Sequence, residues 1–258
     1  MPLDPEIIRS KQNPALKRVG AILAGKEVGT LVLEGDRLID DAMSAGHAVE
    51  LILVAADRAE RAEGLGQSAA QVRLVEPGLL ERLTSLTTSP GIVAVTSVPA
   101  SAGPAQLETT GKNLVLVVAG VSDPGNLGAL ARAAEAAGAS AILCVEGGTS
   151  PWNPKAMRGS MGSLLRLPIA FGLNANDLAA ALKAKGWRSV TAATRGGASH
   201  TSFDWSGDVA LWVTGETAEP PSVCADFEPV TIPMAGGVES LNVTVAAALL
   251  LFATGRNA

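Results

Sequence analysis

Three stretches of this chain carry residue types whose spacing could do chemistry. In residues 231–252, TIPMAGGVESLNVTVAAALLLF, an apolar strand over 230–234 breaks at Ala235-Gly236-Gly237. Glycine lets the backbone adopt positive φ or come close to a ligand there. Ser240 or Asn242 can then cap a nearly all-apolar helix over 243–254, which should be buried on most sides. A strand, a glycine loop and a capped helix leave bare N–H groups where a small polar ligand can sit; an ordinary βα unit has the same pattern. In the second stretch, Asp123-Pro124-Gly125-Asn126-Leu127-Gly128 reads as a tight loop. Arg132 follows six residues after Asn126, about one and two-thirds helical turns on. Its neighbours Ala131, Ala133 and Ala134 leave room for something to approach it, although it could equally be a surface charge. In the third, residues 150–167, Lys155, Arg158 and Arg166 alternate with Gly159, Ser160, Gly162 and Ser163. Cations among small residues suit phosphate contact, as they suit a plain basic loop.

The elements that must position these residues follow from periodicity. Residues 1–30 read as a polar helical lead-in with more cations (Arg9, Lys11, Lys17, Arg18, Lys26) than acids, and Asn13-Pro14 starts a helix. It is either an RNA-touching arm or a solvated face. Strands over 31–34, 49–54, 72–75 and 92–97 alternate with helices over 36–45, 57–64 and 77–84, a small α/β domain over 1–100. Residues 101–112, rich in Pro, Gly, Ser and Thr, read as a linker. The apolar run 114–119 suits a central parallel strand covered on both faces. Loop 120–128, helix 129–137 and strand 141–145 complete a βαβ unit in a second domain, 113–258. A helix over 177–185, strands over 190–193 and 209–213, and a polar loop over 194–206 lie beyond it.

Composition narrows the function. The chain has 258 residues, a formal net charge of −5 and two cysteines, Cys144 and Cys224. Those cysteines suggest neither a disulfide framework nor a metal site, and no metal is expected. The longest apolar run falls short of a membrane span and the N-terminus lacks a signal-peptide core, so a cytoplasmic protein is expected. The acidic balance argues against bulk nucleic-acid binding but leaves room for a local basic face. His47 and His200 lack catalytic partners in sequence. The spacing Gly120-x4-Gly125-x2-Gly128 is not the dinucleotide fingerprint G-x-G-x-x-G, and Gly111-Lys112 is followed by Asn113 rather than Ser or Thr, which argues against a nucleotide-dependent α/β enzyme.

With IPM…ESLNV before an apolar helix and DPGNLG…R at the start of the second domain, the chain resembles the SpoU (TrmH-type) RNA 2′-O-ribose methyltransferases of the SPOUT superfamily. The run from Asn153 to Pro168 is similar to that family's NPK-x-x-R-x-S-M-G segment. EGDRLIDDAMSAG and SPGIVAV resemble its N-terminal substrate-binding domain. The middle motif, usually G-N-E-G-x-G, departs: Glu216 remains, Thr214 or Gly215 stands for the preceding glycine, and the later glycines are gone.

The resemblance implies an α/β fold: a small N-terminal L30e-like RNA-binding domain, and a C-terminal methyltransferase domain with a parallel sheet and a trefoil knot. It implies a homodimer with part of the pocket at the subunit interface. S-adenosylmethionine would be the cofactor, held by Thr214, Gly215, Glu216, Ile232, Met234 and Leu241. Arg132 would act at the ribose hydroxyl, with Asn126, Glu216, Ser240 and Asn242 positioning it, and Lys155, Arg158, Ser160 and Arg166 would face RNA. The expected substrate is 23S ribosomal RNA; alternatives are transfer RNA, or a non-catalytic RNA-binding relative with impaired cofactor binding because of the altered 214–220 loop.

Overall fold

The apolar run Leu114–Ala119 becomes a fully buried strand, and the pairs Asn13-Pro14, Asp123-Pro124 and Asn153-Pro154 become helix starts. The computed structural model describes residues 4–65, 71–83 and 89–255. The chain divides into two units, Met1–Pro99 and Ala100–Ala258.

The first unit contains β1 (Asp4–Ile8), α1 (Pro14–Leu23), β2 (Thr30–Glu34), α2 (Asp36–Ser44), β3 (Val49–Ala55), α3 (Ala59–Leu65), β4 (Gln71–Val75), α4 (Pro77–Glu81) and β5 (Ile92–Ser97). Its sheet has the order β1-β4-β3-β5-β2. β1, β4 and β3 run parallel, whereas β5 pairs antiparallel with β3 and β2. The helical lead-in expected over 1–30 is corrected: Asp4–Ile8 extends as an edge strand on β4, placing Ile8 in a core with Leu16, Val19 and Ile22 of α1. A cross-strand partner outweighs weak local periodicity here. The helix expected over 77–84 ends at Glu81, and residue 84 lies outside the described residues. Asn13 caps α1 by accepting from the Ala15 N–H at 2.9 Å. Arg18 of the basic arm is spent on Glu27 and Glu50, both at 2.8 Å.

The second unit contains β6 (Leu114–Ala119), α5 (Pro124–Ala136), β7 (Ala141–Val145), α6 (Pro154–Ser160), α7 (Ser163–Arg166), β8 (Ile169–Leu173), α8 (Ala175–Ala184), β9 (Arg188–Ala193), β10 (Ala198–Ser199), β11 (Val209–Thr214), β12 (Glu228–Thr231) and α9 (Val243–Ala253). Its sheet runs β10-β12-β9-β11-β6-β7-β8 with every pairing parallel. Val115, Val117 and Ala119 pack with Leu178, Leu182, Trp187 and Trp212 in one core cluster. Leu114, Leu116 and Val118 alternate to the other face, and α9 packs against α5, β9 and β11.

Four expectations for this unit are corrected. Residues 124–128 are not a loop: Asp123 accepts from the Asn126 N–H at 3.0 Å, Pro124 takes the first helical position, and α5 begins there. Asn153-Pro154 likewise starts α6 inside the expected basic loop, with Asn153 accepting from the Lys155 N–H at 2.8 Å. The strand expected over 230–234 ends at Thr231, so Ile232–Met234 belong to the following loop. Nor is 101–112 a free linker. The Ala102 N–H donates to Ile169 O at 2.9 Å, Leu107 joins the core cluster, and Lys185 Nζ donates to the carbonyls of Ala105 and Leu107.

The sheet winds outward from β6 through β7 to β8, then returns by way of α8 to β9, leaving the position beside β6 for β11. Winding therefore reverses at the β11–β6 pair. In open parallel sheets a crevice forms beyond the strand C-termini at such a reversal.

Asp208, just before β11, is buried and accepts from the N–H groups of Asn113 (2.8 Å) and Thr110 (3.3 Å). Burial alone would raise its pKa. The N–H groups of Asn113, Gly111, Thr110 and Lys112 outweigh that and hold it below the usual aspartate range. Its contribution to stability is therefore present above about pH 4, the unfolded value, and is lost as pH falls through the folded pKa. Asp208→Ala should lower the urea stability of the second unit by about 1–3 kcal/mol at pH 7. Below the folded pKa the difference from the parent should shrink, which unfolding curves across pH will check.

Candidate active site

Each wall of the crevice is a loop that leaves the C-terminal end of a strand. A cavity of about 670 Å³ is lined by the ends of β9 and β11, the loops after β9, β11 and β12, and the first turns of α9. That volume lies within the range typical of small-molecule sites. All six residues expected to hold a cofactor, Thr214, Gly215, Glu216, Ile232, Met234 and Leu241, lie on its lining, as does Ser240.

Glycine placement fixes this shape. A Cβ on Gly215 would overlap the carbonyl oxygen of Gly120, and Gly120 itself has φ of 61° with Ala218 Cβ 2.5 Å from where its own side chain would begin. The loops after β6 and β11 thus touch backbone to backbone. The departure from the expected motif leaves a closed turn, in which the Ala218 N–H donates to Gly215 O at 3.0 Å and the Ala218 methyl fills the space beside Gly120.

At one end of the cavity a polar cluster gathers residues far apart in sequence. Asn242 caps α9, accepting from the Thr244 N–H at 3.0 Å, which decides between the two cap candidates. Its Nδ2 donates to Glu216 Oε1 at 2.8 Å, and the Val243 N–H donates to the same oxygen at 3.2 Å. Asn126, in the first turn of α5, lies 3.5 Å from Asn242 Nδ2, and Thr244 Oγ1 is 3.5 Å from the Asn126 carbonyl. These are long contacts at the edge of hydrogen bonding.

Arg132 is not brought into this cluster. It is exposed on α5, does not line the cavity, and makes no hydrogen bond or ion pair among the described residues. The expected RNA-facing residues divide. Lys155 reaches Asp123 at 2.7 Å and, with the Asn126 N–H, holds that carboxyl below its ordinary range. Arg166 binds Glu135 through both Nε and Nη2 and lowers its pKa, with Ser163 adding a third hydrogen bond. Arg158, half-buried near the end of α6, also has a partner within the chain. Ser160 is a correction: it is 0% exposed and its hydroxyl donates to Met157 O at 2.7 Å, so within this chain it cannot touch phosphate. It is buried because α6 lies hard against α5, where a Cβ on Gly128 would meet the Ala156 carbonyl oxygen at 2.5 Å.

Sequence reasoning missed the far wall of the cavity, Thr191–Arg195 and Pro220–Ala225. Their position after parallel strands was the available sign. Cys224 lies on that wall, but burial pushes its thiol up to about 11, so it stays protonated near neutrality. Among the described residues no cluster of His, Cys, Asp and Glu could hold a metal ion, and no helix is long and apolar enough to cross a membrane.

Residues 113–252 match the model of the SpoU rRNA Methylase family. The chain is 30% identical over 250 residues to the 23S rRNA (guanosine(2553)-2′-O)-methyltransferase RlmP of Bacillus subtilis, covering 95% of this chain and 97% of that one. Its structure is similar to that of an AdoMet-bound rRNA methyltransferase from Sinorhizobium meliloti, with a TM-score of 0.86, 26% identity and 97% of each chain covered. It is similar also to the SpoU methyltransferase AviRb from Streptomyces viridochromogenes in complex with AdoMet, with a TM-score of 0.86, 25% identity, and 95% and 98% covered.

Asn242→Ala removes a helix cap and the bridge to Glu216. Urea unfolding should show the second unit less stable by about 1 kcal/mol. Glu216→Gln retains an acceptor for Asn242 and Val243 and should cost less than Glu216→Ala in the same measurement.

Proposed function

The chain belongs to the SpoU rRNA methylase family, and from that membership we propose that it transfers a methyl group from S-adenosylmethionine to a ribose 2′-hydroxyl of RNA, with a guanosine of 23S ribosomal RNA as substrate. The observation that carries this reading is the cavity beyond the C-terminal ends of β9 and β11, lined by all six expected cofactor residues, with Glu216 of its lining joined to Asn242, which in turn meets Asn126.

The residues fit the cofactor. Val213, Val230, Ile232, Leu241 and Leu250 give an apolar floor, while Thr214, Gly215 and Ser240 present polar and backbone groups at its edge. When bound, S-adenosylmethionine supplies a methyl group on a sulfonium, activated for transfer. The chain's task is then to hold the ribose oxygen in line, which is a matter of proximity and orientation. A guanidinium is not deprotonated in proteins. Arg132 therefore serves by orienting the hydroxyl and an adjacent phosphate and by stabilising the developing oxyanion. Glu216 and Asn242 hold the start of α9 so that Ser240 and Leu241 keep the cavity's edge in place, and Asn126 ties that edge to α5.

Arg132 lies outside the lining of its own chain's cavity, so we read the site as completed by a second protomer. Support comes from α9, where Val245, Leu249 and Phe252 are 49%, 43% and 45% exposed, contrary to the expectation that this helix is buried on most sides. Aligned apolar residues on one exposed face mark an interaction surface. Asn242 meeting Asn126 across 116 residues, with α9 laid on α5, is consistent with the C-terminal stretch threading a loop as a trefoil knot. The first unit, with its mixed sheet and α1 carrying Lys17 on an exposed face, is assigned to RNA recognition in an L30e-like fold.

Mapping of ribose methylation in RNA from cells with and without the protein tests the assignment: one 23S guanosine should lose its mark, and an unchanged map would refute it. Arg132→Ala should abolish methylation with an unchanged melting curve, and mixing it with Glu216→Ala chains should restore part of the activity if the site is shared between protomers. Leu249→Glu should turn the dimer into monomer in sedimentation and reduce methylation at least tenfold, about 1.4 kcal/mol of barrier.

A further inference from the structure

The cavity holds a cation that neither the sequence motifs nor the polar cluster uses. Arg195 lines it directly after β9, is exposed, and makes no hydrogen bond or ion pair among the described residues. Of the residues on the lining, Arg195 carries the positive charge and Glu216 the negative one. Glu216 is already committed to Asn242 and Val243, so Arg195 faces the cavity with its charge unanswered.

Its backbone, by contrast, is held on both sides. The preceding residue, Thr194, accepts at its carbonyl from Thr231 Oγ1 at 3.2 Å. The following Gly196 turns the chain at φ of 81°, and Gly197 lies so close to β12 that a Cβ there would meet Pro229 O at 2.7 Å. Ala198 and Ser199 then pair with Val230 and Thr231. A fixed backbone bearing an unpaired guanidinium at a cavity mouth is prepared for an anion, and for a planar carboxylate in particular, which Arg can grip through two parallel N–H bonds.

We propose that Arg195 binds the amino-acid carboxylate of S-adenosylmethionine and so fixes which end of the cofactor faces out. This rests on the cofactor reading above. The carboxylate is the anionic group of that molecule, and Glu216, the negative charge on the lining, would repel it. An RNA phosphate is the other anion at hand, but it would come from the side of α5 and α6. Arg195 follows β9, two strand positions from β6 across β11, about 10 Å away in strand spacings. Asn126 follows β6, so the two residues belong to loops that leave the sheet two strands apart.

Calorimetric titration of the full chain separates the possibilities. The parent, Arg195→Ala and Arg195→Lys are each titrated with S-adenosylmethionine and with its decarboxylated analogue, and a fluorescent ribosomal RNA fragment reports RNA affinity. We expect Arg195→Ala to weaken S-adenosylmethionine by about tenfold to a hundredfold, the size of a lost charge-assisted contact. Arg195→Lys should recover part of that, while the analogue and the RNA bind parent and variants alike. Equal weakening of cofactor and analogue would overturn the proposal, as would unchanged cofactor affinity. Weakened RNA with unchanged cofactor would assign the cation to phosphate instead. A parent that binds neither cofactor nor analogue would bring down the cofactor reading itself, and this inference with it.

Discussion

Everything at the cavity depends on one carboxylate oxygen. Glu216 Oε1 receives both the Asn242 side-chain amide and the Val243 N–H, so a loop leaving β11 holds the first turn of α9. The arrangement is favourable twice over: it satisfies an orphan donor at a helix start and sets a negative charge at the positive end of the helix dipole. Without it, an almost wholly apolar helix would rest on the sheet through packing alone, and packing does not fix rotation or register. Ser240 and Leu241, just before the helix, would then have no defined place.

The second constraint is the backbone contact between Gly120 and Gly215. It brings the loops after β6 and β11 closer than any side chain allows, at the position where sheet winding reverses. The altered motif after Glu216 is accommodated because Ala218 packs against Gly120 instead of leaving the loop open. The loop whose motif departs in sequence is a closed turn here, with the Ala218 methyl beside Gly120.

Much of this was legible in advance for physical reasons. The run 114–119 reads as a central parallel strand because no water-facing residue interrupts it, and 209–213 as a strand; both are buried over Leu114–Ala119 and Val209–Val213. Asn13-Pro14 reads as a helix start and Asp123-Pro124 as a tight loop, since the surrounding glycines argue for turns, yet both pairs begin helices, as does Asn153-Pro154. Those glycines serve helix contact: Gly128 of α5 and Gly159 of α6 let two helix backbones approach. Ser160 reads as RNA-facing because it is a small residue among cations in a segment that resembles the family's, but that pattern says nothing about the facing side, and it lies on the buried one. The far wall after β9 has only its position after a strand to mark it, because a cavity is made by strand order, and order is not written locally. The β1 strand was missed for the same reason, since its partner β4 lies some seventy residues away in register.

Chain connectivity has a kinetic side. The Asn126–Asn242 contact spans 116 residues and the sheet it closes is parallel throughout, so local turns contribute little to assembling it. Contacts this distant in sequence are entropically costly to close and form slowly. Secondary structure and the β6–α5–β7 core should therefore appear early in refolding, and the seating of α9 should come last. A refolding chain would regain its circular dichroism before it regains a ligand-binding cleft.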